Sequence, residues 1–198
     1  TPGSNVEGNQ SSQDVTVNYA YNDQGQMVLS GGTIKDKDNT TGGTYGKGTM
    51  WSSDAFGNVT KGNITQAYAV MNNQAKMVSN LTETYSVTAD GVGTLADPGS
   101  NWEGNKSRQS VTVSYAYYTE TEARSNPLVH VGEMKSASGS GTMWSADSLG
   151  SVTKGDILQV YSIVKGSAKL TANNTKTYSV AADGTTGSYA TPGSNVEG

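Results

Sequence analysis

The sequence contains no cysteine, one histidine and one phenylalanine in 198 residues. The lack of cysteine excludes disulfides, thiolate nucleophiles and zinc sites built on cysteine. Because His130 is the only imidazole, acid–base catalysis has almost no basis in this chain. We therefore expect a protein that is not an enzyme, with no catalytic residue, no metal site and no cofactor. Calcium bound at the joints between repeats is the one alternative to this expectation.

Charge and hydropathy exclude two further classes of partner. Lys and Arg number 13 against 17 Asp and Glu, and the basic residues do not cluster. Since binding a phosphate backbone needs several cations in one footprint, we expect no nucleic-acid partner. No apolar run approaches the roughly 18 residues that a membrane helix needs, so we predict no membrane span. The chain begins with Thr1-Pro2-Gly3, and we expect a mature protein or an excised piece.

An internal repeat is the strongest feature that the sequence contains. Residues 1–21 match residues 97–117 at 15 of 21 positions, and residues 48–64 match residues 141–157 at 12 of 17. Self-similarity at a fixed spacing is typical of repeat architectures. The chain therefore consists of two copies of a unit of about 95 residues.

The repeat divides the chain into three parts. We assign residues 1–96 to a first β repeat, residues 97–190 to a second, and residues 191–198 to a separate closing segment. The octapeptide TPGSNVEG, which opens the chain, returns unchanged in this closing segment. It either starts a third repeat of a longer array or is an assembly segment that enters a neighbouring subunit. Both interpretations predict head-to-tail continuity.

Alternation of apolar and polar residues predicts β-strands. Val15, Val17 and Tyr19 share one face of a strand, with polar residues between them. Residues 64–71 are apolar on both faces, which is typical of a strand central to a sheet. We expect five to seven short antiparallel strands per unit and an all-β fold of two tandem β-sandwich repeats of immunoglobulin-like size. The alternative is a continuous β architecture with strands shared between repeats or subunits.

The tetrapeptide Pro-Gly-Ser-Asn occurs three times and marks the joints. Pro presets φ and Gly supplies positive φ, so the tetrapeptide predicts a turn. An apolar residue follows each turn, and we expect it to insert as an anchor. The candidate joint and assembly residues are Pro2, Gly3, Asn5, Val6, Pro98, Gly99, Asn101, Trp102, Pro192, Gly193, Asn195 and Val196.

Two further sets of residues are candidate sites. Trp51 and Trp144 occupy equal positions in the two copies, and either pack in the core or stack on sugar rings. Asn-x-Ser/Thr triplets that recur in both copies make four asparagines candidates for N-glycosylation. These are Asn9, Asn80, Asn105 and Asn173.

In composition and repeat organisation, the chain resembles the extracellular repeat domains of microbial surface adhesins and fibres. The resemblance implies an extracellular or cell-surface structural protein that forms a fibre, a surface array or a biofilm matrix by head-to-tail β-domain association. Its partner would be itself, as a homopolymer or a longer array. The alternative is a glycan-binding adhesin repeat, whose partners would be surface glycans.

Overall fold

In a computed structural model of the chain, the structure describes residue 5 and residues 7–19, 21–27, 45–181 and 186–194. Strands dominate these residues, and the expectation of an all-β chain is confirmed. In chain order, the elements are β1 (Gln10–Asn18), β2 (Tyr45–Ser53), β3 (Val59–Met71), β4 (Gln74–Val87), β5 (Lys106–Tyr117), α1 (Glu120–Ser125), β6 (Met134–Ala146), β7 (Val152–Val164) and β8 (Ser167–Val180).

All eight strands belong to one open antiparallel sheet, in the order of the chain from β1 to β8. Two tandem sandwiches are not what the structure shows, because the described residues contain no second sheet on which the first could pack. Strand β4 of the first repeat pairs directly with β5 of the second over residues 79–85 and 108–114. The two repeats therefore share one sheet, as the alternative interpretation expects. Sharing between subunits stays a prediction.

Within the described chain, each repeat contributes four strands rather than the five to seven that we expected. The strands are longer than expected, reaching 14 residues in β4 and β8. Thr, Val and Tyr suit a pleated surface, and none of the strands contains proline. The strand predicted to be central, residues 64–71, lies within β3, where residues 64–67 pair with both β2 and β4 and residues 68–71 pair with β4.

A five-residue turn ends strands at several places. At Asn101, for example, the backbone N–H donates to the carbonyl of Asn105 over 2.8 Å, and the N–H of Gly104 donates back to Asn101 over 3.0 Å. The side-chain oxygen of Asn101 also accepts the N–H of Asn105. Gly104 has a φ of 85°, which glycine adopts without strain. The same backbone pattern begins at Asn5, Asn22, Asp54, Thr88, Asn101 and Asp147.

Tighter turns join the two long hairpins. Asn72 and Asn73 connect β3 to β4 with φ values of 53° and 58°. Lys165 and Gly166 connect β7 to β8 with φ values of 51° and 73°. Positive φ at both central residues defines the turn whose twist matches that of the flanking strands. These turns set the register of each hairpin up to a β-bulge, at Val78 in β4 and at Thr171 in β8, where the pairing shifts by one residue.

Helix α1, between β5 and β6, is the one element that the strand pattern did not predict. Thr119 and Glu122 form a capping box, in which each side chain accepts the backbone N–H of the other residue. The spacing Thr-x-x-Glu was the signal in the sequence. Glu122 also accepts a hydrogen bond of 2.6 Å from Lys135 on β6. Among the described residues, no helix is long and apolar enough to cross a membrane.

One face of the sheet, called here the valine face, holds most of the buried apolar side chains. Directly paired residues of antiparallel strands lie on the same face, so the register defines rows that cross the sheet. One such row is Val15, Gly48, Ile64, Thr82, Val111, Gly141, Ile157 and Thr175. Ile64, Val111 and Ile157 in this row are 5%, 8% and 6% exposed. In this row each of the three buried aliphatic residues lies between a glycine and a threonine on the neighbouring strands.

Glycines in the valine-face row let neighbouring strands approach closely. A Cβ added to Gly48 would lie 2.1 Å from the carbonyl oxygen of Asp14, and one added to Gly141 would lie 2.2 Å from that of Ser110. The neighbouring backbone thus occupies the space that a side chain would need. Glycine inside a strand commonly marks such a close approach.

Replacing Gly141 with alanine should destabilise the protein, because the added methyl group overlaps the backbone of β5. We expect the free energy of unfolding to fall by about 1–3 kcal/mol, as for overpacked cores. Chemical denaturation monitored by circular dichroism measures this loss. Ser140→Ala, at the adjacent exposed position, is the control and should change stability by less than about 0.5 kcal/mol. Equal effects of the two substitutions would contradict the close approach.

The contact between α1 and β6 should depend on pH. The hydrogen bond from Lys135, followed by those from Thr119, lowers the pKa of Glu122 to about 2 from its usual value of 4.5. A lowered folded-state pKa means that the contribution to stability is complete above pH 4.5 and is lost as the pH falls through about 2. NMR titration of the Glu122 carboxyl should show this low midpoint, and Lys135→Gln should raise it. A midpoint near 4.5 in the unchanged protein would show that the contact is absent.

Candidate functional site

The joint between the repeats docks on the end of β4. The N–H of Gly99 donates to the carbonyl of Ser86 over 2.8 Å. The hydroxyl of Ser86 donates to the carbonyl of Gly99 over 2.7 Å and accepts the N–H of Ser107 over 2.9 Å. Ser86, only 7% exposed, thus links the last strand of one repeat, the joint and the first strand of the next.

The predicted joint residue Gly99 is required by packing. A Cβ at this position would lie 2.1 Å from the carbonyl oxygen of Val92 and 2.9 Å from the Cα of Val87. The joint backbone therefore lies directly on Val87, which is 1% exposed. Pro98, immediately before Gly99, is buried as well. The joint is part of the core as well as a connection.

The segment that follows β8 docks in the same way. The N–H of Gly193 donates to the carbonyl of Ser179 over 2.8 Å, and the hydroxyl of Ser179 donates to the carbonyl of Gly193 over 2.7 Å. A Cβ on Gly193 would lie 2.1 Å from the N of Ala181. Val180, the counterpart of Val87, is 2% exposed. Pro192 and Gly193 thus occupy, on the second repeat, the place that Pro98 and Gly99 occupy on the first.

The strands that begin the two repeats follow matching turns. The turn at Asn5 precedes β1 as the turn at Asn101 precedes β5, with hydrogen bonds of the same lengths within about 0.1 Å. In both turns a glutamate accepts a hydrogen bond from an asparagine side chain: Asn9 donates to Glu7 over 3.3 Å, and Asn105 to Glu103 over 3.2 Å. Five candidate joint residues lie outside the described residues: Pro2, Gly3, Val6, Asn195 and Val196.

Trp102 does not insert as the anchor that the sequence suggested. It is the second residue of the turn that begins at Asn101, and its side chain is 65% exposed. The apolar residue that packs against the joint is instead Val87, the last residue of β4. The residue type after Pro-Gly-Ser-Asn was therefore a poor guide to what the joint buries.

The outer edge of β8 is uncovered in the described chain. Strand β4, its counterpart, is buried or half-buried at all but one residue, because β5 lies beside it. Strand β8 is exposed at most of its residues. Leu170 is 50% exposed, whereas Met77 at the equivalent position of β4 is half-buried. The difference lies in the missing neighbour, since the two strands have similar sequences.

The face opposite the valine face, called here the tryptophan face, has a row of aromatic and cationic side chains. The row crosses the sheet from β1 to β8: Ser12, Trp51, Lys61, Tyr85, Arg108, Trp144, Lys154 and Tyr178. Trp51 and Trp144 lie on this face, in separate repeats, and both are half-buried. Neither belongs to the buried core.

A cleft of about 580 Å³ lies on the tryptophan face above β5 to β8. Trp144, Lys154 and Tyr178 line it from the strands, and Leu95 and Ala96 line it from the joint. The guanidinium of Arg108 lies 5.3 Å from the centre of the Trp144 ring. Its Nη1 also donates to the carbonyls of Leu95 and Ala96 over 3.0 and 2.9 Å.

Tyr189 supports the far side of this cleft. Its ring packs edge-on against Tyr178, with the ring centres 4.8 Å apart. The hydroxyl donates to the carboxylate of Asp156 over 2.9 Å and accepts the N–H of the same residue over 2.8 Å. Desolvation, followed by the hydrogen bond to Asp156, raises the pKa of Tyr189 above its usual value.

A smaller cleft of about 330 Å³ occupies the equivalent place in the first repeat, lined by Trp51, Lys61 and Tyr85. Here the Nζ of Lys61 donates to the carbonyl of Gly91 over 2.9 Å. Ser12 stands at the register position of Arg108. The cleft is thus present twice, and among the described residues only the second has a wall supplied by a joint.

The four candidate glycosylation residues have different surroundings. The side-chain amides of Asn9 and Asn105 are hydrogen-bonded within their turns. Asn80 lies on β4, where its Nδ2 lies 3.3 Å from Thr82 and its Oδ1 is buried without a partner. Asn173, on the edge strand β8, is exposed. Of the four, Asn173 is the most accessible.

The described residues contain no cluster of titratable or metal-ligating side chains that would support acid–base catalysis or metal binding. No group of three or more His, Asp or Glu side chains could hold a metal ion among them. His130 lies in the segment between α1 and β6, where its Nδ1 is 3.6 Å from the Oε2 of Glu133, and its side chain is 86% exposed. At the joint, Asp97 lies 3.5 Å from Lys106.

Strand pairing places beside Trp144 several residues that the sequence alone did not connect with it. Trp144 was a candidate, but Lys154, Tyr178 and Arg108 were not, since they lie on three other strands. Each copy does contain Thr-Lys-Gly and Thr-Tyr-Ser at matching positions. Those repeated Lys and Tyr residues were the available signal, but only strand pairing places them beside tryptophan.

The joint predicts unequal effects for two matched serines. Ser86→Ala removes a buried donor to Gly99 and the acceptor for Ser107, and should lower the free energy of unfolding by about 1–3 kcal/mol. Ser179→Ala removes the donation to Gly193 at a half-buried position, and should cost less. Urea denaturation of both variants measures the difference. An equal loss in the two variants would be evidence against the three-way link at Ser86.

Comparison with family models, with curated proteins and with solved structures finds no match to this chain. Its function has therefore to be inferred from its own residues. Two regions of the structure bear on function: the repeated joint with its edge strand, and the paired clefts on the tryptophan face.

Proposed function

We propose that this protein is an extracellular structural protein whose copies associate head to tail by continuing one β-sheet. Strand β1 of one copy would pair with β8 of the next, as β5 pairs with β4 inside the chain. Such growth would build a fibre, a surface array or a matrix. The observation that carries the proposal is that the exposed edge of β8 bears the same docked joint as the edge of β4, which β5 already occupies.

An uncovered edge strand supports this mode of association. A strand at the edge of a sheet presents unpaired backbone N–H and C=O groups to another chain. Soluble proteins usually protect such edges by shortening them or by placing prolines and bulges there. Strand β8 has 14 residues and contains no proline. Its β-bulge, at Thr171, lies outside residues 172–178, just as the bulge at Val78 of β4 lies outside the residues that pair with β5. Backbone pairing along an exposed edge is also a recurring mode of recognition between chains.

Both sides of the proposed interface are already ordered in the described chain. On β8, Ser179 and Gly193 hold the joint in place. Before β1, Asn5 and Gly8 form the turn that also precedes β5. Association that orders few new groups has a smaller entropic cost. Two preformed surfaces would therefore associate more readily than flexible ends.

The register of the internal joint also predicts which residues meet between copies. Because Glu83 pairs with Ser110 inside the chain, the equivalent partners between copies are Lys176 on β8 and Asp14 on β1. Both side chains are exposed. Opposite charges placed directly across two strands are stabilising, by about 0.2–1 kcal/mol. Charge complementarity thus favours β1 of a second copy as the occupant of the β8 edge.

The composition fits a hydrated protein outside the cell. The chain has no cysteine, a net charge of −4 and a sequence pI of about 4.9. Net charge keeps a protein soluble and limits nonspecific association.

The second candidate function is a glycan-binding adhesin repeat, and the observation that favours it is the Trp-Lys-Tyr arrangement found in both repeats.

Reversal of charge tests the proposed interface. The chain should sediment as a concentration-dependent series of oligomers, and electron microscopy should show extended particles. Lys176→Glu should weaken self-association several-fold at low salt, since it places two acids opposite each other. Combining it with Asp14→Lys should restore association, because the pair is then inverted.

The matched control is Lys169→Glu, which makes the same charge change on β8. Residue 169 lies outside the segment of β8 that corresponds to the paired segment of β4, so this variant should associate like the unchanged protein. A chain that stays monomeric at every concentration would refute the proposal. Equal weakening by the two lysine variants would refute the register.

A further inference from the structure

We infer that the cleft above Trp144 is a binding site for an acidic saccharide, in which a sugar ring packs against the aromatic walls and its carboxylate meets Lys154. This site is independent of association between copies, because every residue that lines it belongs to one chain. The ligand is thus an acidic saccharide, the site is the larger of the two clefts, and the cation that meets the carboxylate is Lys154.

The walls of the cleft suit a flat ring with an apolar face. Trp144 lies on β6 and Tyr178 on β8. The side chain of Lys154, which is slimmer than the two rings, lies between them on β7. Leu95 and Ala96 close the side next to β5. Ligand sites in proteins are typically concave and largely apolar, with a few polar groups that fix orientation. The volume of about 580 Å³ lies within the range of such sites.

Hydrogen bonds hold both walls in place without a ligand. Arg108 fixes the carbonyls of Leu95 and Ala96 while it lies over the Trp144 ring. On the other side, Tyr189 packs on Tyr178 and is bonded to Asp156. A rigid site binds more tightly, because less freedom is lost on binding.

The charges of the cleft favour an anion. Lys154, which lines the cleft, has no hydrogen-bond or carboxylate partner in the described part of the chain. Arg108 adds a second positive charge, although its Nη1 is already bonded to the joint. Asp156 is the acidic residue among those that line the cleft, and its carboxylate accepts the hydroxyl of Tyr189. An ammonium group is well suited to a carboxylate in such a setting.

Hydroxyl groups in the same cleft suit a sugar rather than an aromatic acid. Ser110 and Thr142 line the cleft next to Asp156, and all three occupy one row of the register. A hydroxyl both donates and accepts hydrogen bonds. This row therefore offers several partners to the hydroxyl groups of a ring that lies along it.

The first cleft provides an internal comparison. Its tryptophan, lysine and tyrosine are the same, but Lys61 is bonded to Gly91. Ser12 replaces Arg108, and no joint residue that the structure describes lines this cleft. Its volume is also smaller, at about 330 Å³. The site is therefore assigned to the second repeat, and Trp51 and Lys61 serve as matched controls.

NMR titration of the three tryptophan indole N–H signals tests the inference. The probes are a trisaccharide of glucuronic acid and the neutral glucose trisaccharide with the same linkage. We expect the acidic sugar to shift the Trp144 signal saturably and to bind about tenfold more tightly than the neutral sugar, as for a charge-assisted hydrogen bond. Lys154→Gln should abolish that preference, and Lys61→Gln should leave it unchanged.

A second pair of variants tests the aromatic wall. Trp144→Leu keeps an apolar side chain but removes the ring, so it should weaken binding of both sugars, as followed at a Tyr178 ring signal. Trp51→Leu should leave binding unchanged. The inference is overturned if no saturable shift occurs at Trp144, if the two sugars bind equally, or if Lys61→Gln and Lys154→Gln have the same effect. None of these outcomes bears on sheet continuation, which sedimentation measures separately.

Discussion

The structure depends on strand pairing inside one sheet. With no second sheet among the described residues, a strand can be covered only by the strands beside it and by the segments that fold back on its ends. The buried apolar residues are accordingly few: Ile64, Val87, Val111, Val113, Ile157 and Val180. A strand without a neighbour loses both its hydrogen bonds and much of its burial. The edge is therefore where this architecture is weakest, and where another strand would contribute most.

At the end of each repeat, the joint covers part of the last strand. Its backbone covers the last valine, and its serine partner bonds to the chain on both sides. Because the same device follows β4 and β8, the end of the second repeat is prepared for a strand in the same way as the end of the first. The proposed head-to-tail association and the internal pairing of the repeats thus have one physical basis.

The two faces of the sheet have different roles. The valine face contains the strand glycines and four of the six buried aliphatic residues, whereas Val87 and Val180 lie on the tryptophan face at the ends of β4 and β8, against the joints. The tryptophan face contains aromatic and cationic side chains that stack across strands, and the joint turns part of this row into a cleft. A single layer can therefore bury most of its core on one face and still present a cleft on the other.

The sequence by itself determined the repeat, the strand content, the turn residues and the absence of cysteine chemistry, because these depend on composition and local spacing. It indicated Pro98, Gly99, Pro192 and Gly193 as joint residues, but the positive φ predicted for the glycine is found at neither Gly99 nor Gly193, where close packing requires glycine instead. It did not determine one sheet rather than two sandwiches, because alternation within a strand is the same in both. The alignment of Trp144, Lys154 and Tyr178, and the open edge of β8, were decided only by the tertiary structure, since both depend on the register between distant strands.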